Sequence, residues 1–259
     1  ISGRSIEEAK SDLDALLQKT IAKELVSDVP LGVFLSGGID SSTIAYYAQK
    51  AHSRPIDTFS IGFDDPAFDE SHFAREVAGL LGTNHHEEIV RAEDALNLVP
   101  SIPDVLSEPV ADASIIPTML LSHFARKSVT VVLGGDGGDE LFAGYPTFKA
   151  EALFRYYKHL PSPLRALCAG VINTLPASHG NFSLSYNLKK FVSSDDPNTI
   201  HHHLEWLGSF DASARAALLK QSVLNANVFA DADRYAQEFT GDRDNALLYT
   251  YARTYLMDE

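Results

Sequence analysis

The sequence predicts an α/β fold: a doubly wound parallel sheet followed by a helical C-terminal layer. Short apolar runs alternate with helical patterns over residues 1–145, and strand-like runs become sparse after that point. Two of the apolar runs end directly in glycine-rich turns. Strands that alternate with helices are typical of a parallel sheet covered by helices on both faces. We therefore expect residues 1–145 to form the α/β unit and residues 146–259 to form a helical layer packed on it.

The predicted elements of the first unit follow this alternation in order. A capping box at Ser5–Glu8 begins a helix that should end before Pro30. The apolar run 29–35 predicts the first strand. Gly62 is expected to close the second strand, and Gly82 to cap the third helix. Further strands are predicted at 56–61, 84–90 and 129–133, and further helices at 43–52, 69–81, 92–100 and 115–127.

The second unit carries helical patterns joined by loops. One of them contains three consecutive histidines, His201-His202-His203. Consecutive residues of a helix do not share a face, so a common metal site is disfavoured, and we predict a solvated run. The helical or loop-linked segments are 149–160, 163–175, 200–208, 211–224 and 231–256.

Composition excludes several classes of protein. The chain has 259 residues with a net charge of −14, which argues against a general nucleic-acid surface because such a surface is basic. No apolar run approaches the roughly 18 residues of a membrane span. The single cysteine, Cys168, excludes a disulfide framework and CxxC sites within the chain, in keeping with a cytoplasmic location. Because the chain begins at Ile1 instead of methionine, we expect it to be part of a longer protein.

The first glycine turn, Ser36-Gly37-Gly38-Ile39-Asp40-Ser41-Ser42, joins the first strand to the second helix. Glycines allow close backbone approach, a helix N-terminus directs free N–H groups at an anion, and serine hydroxyls add donors. The turn has no lysine, so it is not a Walker A loop, and it lacks G-x-G-x-x-G. It resembles the SGGxDS signature of the PP-loop ATP pyrophosphatases, which split ATP to AMP and pyrophosphate. A plain glycine turn that binds nothing is the alternative.

The second glycine turn, Gly134–Tyr145, follows the last predicted strand. In an open parallel sheet, ligands bind beyond the carboxyl ends of the strands, so this turn should face the same crevice as the first. Asp136, Asp139 and Glu140 offer the oxygen ligands that Mg²⁺ prefers. A calcium loop is disfavoured because no carboxylate lies two residues after Asp136, and a plain acidic turn is the remaining alternative.

Two further polar pairs are less informative. His85 and His86 alternate along a predicted strand, so at most one of them can face a site. Asp112 and Ser114 precede a predicted helix, where capping is favoured over a substrate contact.

Four segments in order and spacing resemble the C-terminal synthetase domain of glutamine-dependent asparagine synthetases. They are Ser36–Ser42, Phe59–Phe63, Leu81–Glu87 and Gly135–Tyr145. The resemblance is strong over about residues 5–150 and loose over the helical remainder. It implies a ligase that activates the side-chain carboxylate of aspartate as an acyl-adenylate, using ATP and Mg²⁺, and lets ammonia attack it.

The resemblance also implies site residues. It assigns pyrophosphate binding to the first turn, which includes Ser36, Gly37, Gly38, Asp40, Ser41 and Ser42, and it implies Asp40 and Asp139 as Mg²⁺ ligands. Adenosine contacts are implied for Leu35, Ile61, Gly134 and Gly135, largely through backbone groups. Asp136 stands where the family commonly has a glutamate tied to adenylate formation, and it is one methylene shorter.

Two family features have no counterpart in the chain. The family generates ammonia in an N-terminal glutaminase domain, and nothing here corresponds to it. The family also has a Lys-x-Asp-Arg segment after a Thr-Tyr-Leu stretch, whereas this chain ends at Thr254–Glu259. Two alternatives therefore stay open: a β-lactam-synthetase-like or other carboxylate-amidating PP-loop enzyme, and a catalytically incomplete nucleotide-binding module.

Overall fold

The computed structural model divides the chain into two compact units, Ile1–Asp136 and Gly137–Glu259. The residues that the structure describes are 3–107, 112, 114–176, 184–193, 198–208, 210, 212–220, 223, 226–239 and 241–256. Among them, no helix is both long and apolar enough to cross a membrane.

A four-stranded parallel sheet forms the centre of the first unit, as the sequence predicts. Its strands are β1 (Leu31–Phe34), β2 (Asp57–Phe63), β3 (Asn84–Val90) and β4 (Val131–Leu133). Their order in the sheet is β3-β2-β1-β4. The chain thus moves outward from β1 to β3 and then returns to the other side of β1. Such a reversal of strand order opens a ligand crevice at the carboxyl ends of the two strands that flank it, here β1 and β4.

Helices connect these strands, and their ends agree with local signals. Ser5 caps the first helix, where its hydroxyl accepts the Glu8 N–H at 3.2 Å and the Glu8 carboxylate accepts the Ser5 N–H at 2.8 Å. Gly82 ends the third helix with a left-handed φ of 70°. The helices are α1 (Ile6–Glu24), α2 (Ile39–Ala51), α3 (Ser71–Leu81), α4 (Ala92–Leu98), α5 (Ile102–Val105) and α6 (Ile115–Ala125), with a 3₁₀ turn at Val99–Ser101.

Both faces of the sheet carry an apolar core. Val33 packs on one face, in a cluster with residues of α1, α2 and α3. Phe59 packs on the other face, against Phe124 of α6. Phe59 is 1% exposed, and burying a side chain of this size contributes roughly 1.5–3 kcal/mol. The predicted doubly wound arrangement is therefore confirmed.

The second unit is helical throughout its described residues. Phe154 lies at the centre of its core, where it contacts Phe191 and Trp206 edge to face. A π-helical turn, Ala252–Leu256, extends the last helix. The helices are α7 (Gly138–Phe142), α8 (Pro146–Tyr157), α9 (Ser162–Asn173), α10 (Leu184–Ser193), α11 (Thr199–Leu207), α12 (Ala212–Leu218), α13 (Ala230–Glu238) and α14 (Arg243–Tyr251).

Several predicted boundaries are wrong. Helix α2 begins at Ile39 and not at residue 43, because Gly38 serves as its N-cap. Strand β4 is shorter than predicted: Thr130 and Val131 both donate to the Pro30 carbonyl, and pairing with β1 begins only at Leu31. The segment 231–256 is interrupted where Asp242 caps a new helix by accepting the Asn245 N–H. Residues 211, 221, 222, 224 and 240 of the predicted C-terminal segments lie outside the described residues.

The prediction of a solvated histidine run is also wrong. His202 and His203 are 1% and 0% exposed. They lie on the buried side of α11 with Thr199 and Trp206. Measured from Thr199, the spacing of three, four and seven residues is that of a core-facing helical stripe, which is wide enough to include two consecutive residues.

Candidate active site

Strand β1 delivers the first glycine turn to the carboxyl edge of the sheet. Leu35, just after the strand, is 1% exposed, and its N–H donates to the Phe59 carbonyl at 2.9 Å. Phe34 pairs with Phe59, and continuing this register places Ile61 of β2 beside Ser36. Ile61 is half-buried. Leu35 and Ile61, two of the predicted adenosine contacts, therefore lie at neighbouring strands near the carboxyl edge of the sheet.

The two glycines of the turn have different surroundings. Gly37 has a left-handed φ of 81°, and a Cβ there would lie 2.5 Å from the Phe73 Cβ and 2.7 Å from the Ala74 nitrogen. Gly38 has an ordinary φ of −68° and lies close only to the Ser36 hydroxyl. Gly37 is thus required by conformation and by space, whereas Gly38 begins the helix.

The serines of the turn hold its backbone in a compact shape. Ser41 Oγ accepts the Ser36 N–H at 3.1 Å and lies 2.9 Å from Ser36 Oγ. The Gly38 N–H donates to Ser36 Oγ at 3.2 Å. Ser42 differs: its Oγ is buried and has no hydrogen-bond partner among the described residues. Buried hydroxyls nearly always form a hydrogen bond. The Ser42 hydroxyl is therefore the one in this turn that could donate to a ligand.

The first turn of α2 carries Asp40. Since the helix begins at Ile39, Asp40 and Ser41 lie where helical N–H groups have no intrahelical acceptor, whereas the Ser42 N–H donates to the Gly38 carbonyl at 3.0 Å. Asp40 is half-buried, while Ile39 is 85% exposed. A helix N-terminus can bind an anion and a carboxylate can bind a cation, so this turn carries groups able to do both.

The second glycine turn touches this helix N-terminus directly. A Cβ at Gly135 would lie 2.7 Å from the Ser41 nitrogen and 3.1 Å from the Asp40 carbonyl carbon. Only glycine permits this backbone contact. The neighbouring Gly134 is crowded by the carboxylate of Asp136, which is itself exposed. The structure therefore brings the two sequence-predicted turns together within the first unit.

Asp139 belongs to the second unit. It lies in the first turn of α7, which begins after Gly137 with a left-handed φ of 90°. Its carbonyl accepts the Gly144 N–H at 3.1 Å, and its side chain lies against the Cα of that glycine. The half-buried Asp139 thus sits on a tightly folded turn.

A buried carboxylate stabilises the same turn. Glu140 is 4% exposed, and the Tyr145 hydroxyl donates to it. Burial, together with the Glu140 hydrogen bond, raises the pKa of Tyr145 above its ordinary range. The Tyr145 ring packs near Tyr251 of α14, with the two ring centroids 5.7 Å apart. Glu140 therefore stabilises this turn by accepting the hydrogen bond of Tyr145. From the sequence it is one of three possible oxygen ligands for Mg²⁺, and that role stays a prediction.

A third group of residues, in the acidic loop 64–70, orders the segment after β2. Asp69 Oδ1 accepts the N–H groups of Ser71 and Phe63, and the bonds from Ser71 come first among the causes that lower the pKa of Asp69. A Cβ at Gly62 would lie 2.8 Å from this oxygen. The signal in the sequence was Asp69 two residues before Ser71, a spacing typical of an Asx turn.

The remaining polar residues weighed in the sequence are placed as follows. His85 and His86 face opposite sides of the sheet: His85 contacts Thr58 and Ser60, and His86 stacks on Phe59. Asp112 Oδ1 accepts the Ser114 N–H at 2.8 Å just before α6. Ser114 is the N-cap residue of that helix, but its side chain makes no capping hydrogen bond there. No group of three or more His, Cys, Asp or Glu residues that could hold a metal ion is found in the described part of the chain.

Comparison with known proteins places these turns in a family. A family model described as asparagine synthase matches residues 12–259. Asparagine synthetase (glutamine-hydrolyzing) 1 of Bacillus subtilis is 38% identical over 150 residues, which cover 58% of this chain and 24% of that protein. The asparagine synthetase (glutamine-hydrolyzing) of Bos taurus is 31% identical over 175 residues, covering 63% and 29%. The chain thus spans about a quarter of the length of these curated relatives.

Among solved structures, NMN synthetase from Francisella tularensis aligns with a TM-score of 0.39 and 14% sequence identity. The alignment covers 78% of this chain and 93% of that one.

Proposed function

Because the chain belongs to the asparagine synthase family, we propose that it carries out the ATP-dependent part of asparagine formation. In the first step, a side-chain carboxylate oxygen of aspartate attacks the α-phosphorus of ATP, giving aspartyl-adenylate and pyrophosphate. In the second step, ammonia attacks the acyl carbon, and asparagine and AMP leave. The observation that carries the proposal is the backbone contact of Gly135 with Asp40 and Ser41, which joins two loops able to bind a nucleotide at the reversal of strand order.

Pyrophosphate is assigned to the turn Ser36–Ser42. Departure of pyrophosphate builds up negative charge, which the N–H groups at the start of α2 would stabilise without reorganisation. The buried Ser42 hydroxyl, which lacks a partner among the described residues, adds a donor directed by the same helical turn. The bonds between Ser36 and Ser41 keep the turn preorganised before the ligand arrives.

Mg²⁺ is assigned to Asp40 and Asp139. Mg²⁺ usually binds through one or two carboxylates and the substrate phosphates and keeps several waters, so it does not need a cluster of protein ligands. Two half-buried aspartates, each in the first turn of a helix that follows a glycine turn, fit that requirement. When bound, the ion would neutralise charge on the phosphates during the first step.

Adenosine is assigned to Leu35, Ile61, Gly134 and Gly135 through backbone groups. The N–H of Leu35 already donates to Phe59, so its contact with adenosine is assigned to the carbonyl. Asp136 is assigned to adenylate formation, and its exposed carboxylate follows directly on Gly135. Ammonia is assigned to a glutaminase domain such as the family resemblance implies, and the names of the curated relatives describe them as glutamine-hydrolyzing. The single cysteine favours a cytoplasmic setting.

Product analysis tests the proposal. The chain is supplied with ATP, Mg²⁺, ammonium and a panel of carboxylates that includes L-aspartate. The expected products are AMP, pyrophosphate and asparagine, formed only with aspartate, and Asp40→Asn should lose them. Asp28→Asn, a change in an exposed turn outside the site, is the matched control and should keep them.

Other products would contradict the proposal in distinct ways. ADP and phosphate would exclude the pyrophosphate assignment. AMP formed with a different carboxylate, above all one that carries an internal amine, would favour a β-lactam-synthetase-like reaction. ATP binding without turnover would indicate an incomplete nucleotide-binding module.

A further inference from the structure

Helix α3 presses directly on the first glycine turn. The Phe73 Cβ and the backbone of Phe73 and Ala74 occupy the space where a side chain at Gly37 would project, because they lie 2.5 to 2.7 Å from the position that a Cβ would take. The face of α3 that turns inward is made of small residues, with Ser71 and Ala74 at 2% and 0% exposed. The position of α3 on the sheet therefore sets the position of Gly37.

The contact that orients α3 at this point is an ion pair with β3. Arg75 follows Ala74, and its Nε and Nη2 donate to the two carboxylate oxygens of Glu87 at 3.1 and 3.0 Å. The same Nη2 donates to Ser71 Oγ at 3.2 Å. Planar, two-pronged contacts of this kind fix geometry as well as distance.

The sheet surface that faces this part of α3 is polar. The ion pair therefore contributes a larger share of the contacts that orient the helix there. On that face of the sheet, His85 lies between Thr58 and Ser60, at 3.0 and 3.2 Å from their hydroxyls. Ala74 and Ala78 of α3 pack in the apolar cluster with Val33, but such contacts are non-directional. The Glu87 side chain is 21% exposed and that of Arg75 is 59% exposed, so only the carboxylate end of the pair is shielded from solvent.

We propose that Arg75 and Glu87 are positioning residues for the pyrophosphate loop. The pair holds α3 against Gly37 and so keeps the loop in its anion-binding shape, without touching the ligand itself. This inference rests on the proposed function, because it takes Ser36–Ser42 to be the pyrophosphate site. It extends that function to a pair formed by Arg75 of α3 and Glu87 of the outer strand β3.

The test uses Arg75→Gln and Glu87→Gln in the full chain, with Glu88→Gln as the matched control. Glu88 is the next residue of β3, and it pairs with Lys127 at 3.0 Å, outside the contact between α3 and the loop. We expect the Kd of magnesium pyrophosphate and the KM for ATP to rise about fivefold in both test variants. The KM for aspartate should stay within about twofold, and Glu88→Gln should match the wild type.

A charge-reversed double variant separates positioning from general stability. Arg75→Glu combined with Glu87→Arg restores opposite charges at the same two positions, and we expect it to recover most of the pyrophosphate affinity that either single reversal loses. All affinities are measured at least 15 degrees below each variant's melting midpoint, as a loss of stability alone would then leave the Kd unchanged.

The possible outcomes distinguish a failure of the proposed function from a failure of the inference about Arg75 and Glu87. A wild-type chain that binds neither ATP nor pyrophosphate would overturn the proposed function and this inference with it. Normal binding by the wild type, with the same Kd in Arg75→Gln and Glu87→Gln, would overturn the inference alone. An equal loss in Glu88→Gln would also overturn it, because the effect would then be one of surface charge.

Discussion

At the residue scale, the glycines of the site are not equivalent. Gly37 has a left-handed φ, and a Cβ there would lie less than 3 Å from atoms of helix α3. Gly135 has no unusual φ, but it lies against the backbone of the α2 N-terminus. Gly79, in the middle of α3, has no atom within 4 Å of the position where its Cβ would be. One residue type therefore serves conformation, close approach or neither, depending on its surroundings.

Replacement of Gly37 by alanine is expected to disable the loop. The left-handed conformation costs an alanine roughly 1–2 kcal/mol, and the collision with Phe73 adds about 1–3 kcal/mol unless the loop shifts. The unfolding free energy should fall by about 2–5 kcal/mol, and ATP binding should be lost. Urea unfolding and calorimetric titration measure the two effects.

Gly79→Ala is the matched control for this change. A glycine in an exposed helix interior costs about 0.5–1 kcal/mol relative to alanine, so this variant should be more stable and should bind ATP normally. Normal ATP binding by Gly37→Ala would show that the loop does not need its left-handed residue.

At the scale of elements, helices α8, α11 and α14 enclose an unusual polar core. His203 is fully buried, its ring lies edge to face with Phe148 and Tyr251, and neither ring nitrogen has a partner among the described residues. Burial lowers the pKa of His203 to about 4, with Glu151 opposing the shift and His202 adding to it. His202 Nδ1 lies 3.3 Å from the buried carboxylate of Glu151. His203 is therefore neutral in the folded second unit at pH 7, and it becomes protonated only at acidic pH.

The stability of the second unit is expected to fall with acid. His203 has a pKa of about 4 in the folded chain and an ordinary value near 6.5 when unfolded, so the unfolded chain binds more protons between these values. Its contribution to stability is present above pH 6.5 and is lost as the pH falls toward 4. Between pH 7 and pH 5, the loss from His203 should be about 2 kcal/mol.

Urea unfolding of His203→Phe at the two pH values tests this prediction. Phenylalanine keeps the ring contacts and removes the titration, so the difference between pH 7 and pH 5 should shrink by that amount. His159→Gln, a change at an exposed histidine, should leave the difference as it is. An unchanged pH dependence in His203→Phe would assign the acid sensitivity to other groups.

At the scale of the whole molecule, charge makes nucleotide binding depend on local groups. The net charge of −14 repels ATP at long range, so the helix N-terminus and bound Mg²⁺ must supply the attraction at the site. Binding and stability are linked, because a ligand that binds only the folded chain raises its unfolding free energy.

Magnesium ATP is therefore expected to stabilise the chain. At a ligand concentration of 100 times Kd, the gain should be about 2.7 kcal/mol, which raises the melting midpoint. A chelator that removes Mg²⁺ should abolish the gain, and so should Asp40→Asn. A shift that survives the chelator would indicate that ATP binds without the assigned metal.

The part of this protein that local sequence determined is large. Alternating strands and helices, the capping box at Ser5 and the glycine turns after β1 and β4 depend on residues close in the chain, and the structure confirms them. The sequence also predicted that the two glycine turns face one crevice, because parallel strands place their carboxyl ends at one edge of the sheet. The contact of Gly135 with Ser41 agrees with that prediction. The roles of the individual site residues stay predictions.

Tertiary structure alone decided the rest. The burial of His202 and His203 depends on which face of α11 meets α8 and α14. The need for glycine at position 37 depends on α3, a helix more than 30 residues further along the chain. The pairing of Arg75 with Glu87 depends on how that helix lies on β3. Sequence patterns report the period of each element, whereas these contacts arise from packing between elements, whose geometry no local pattern encodes.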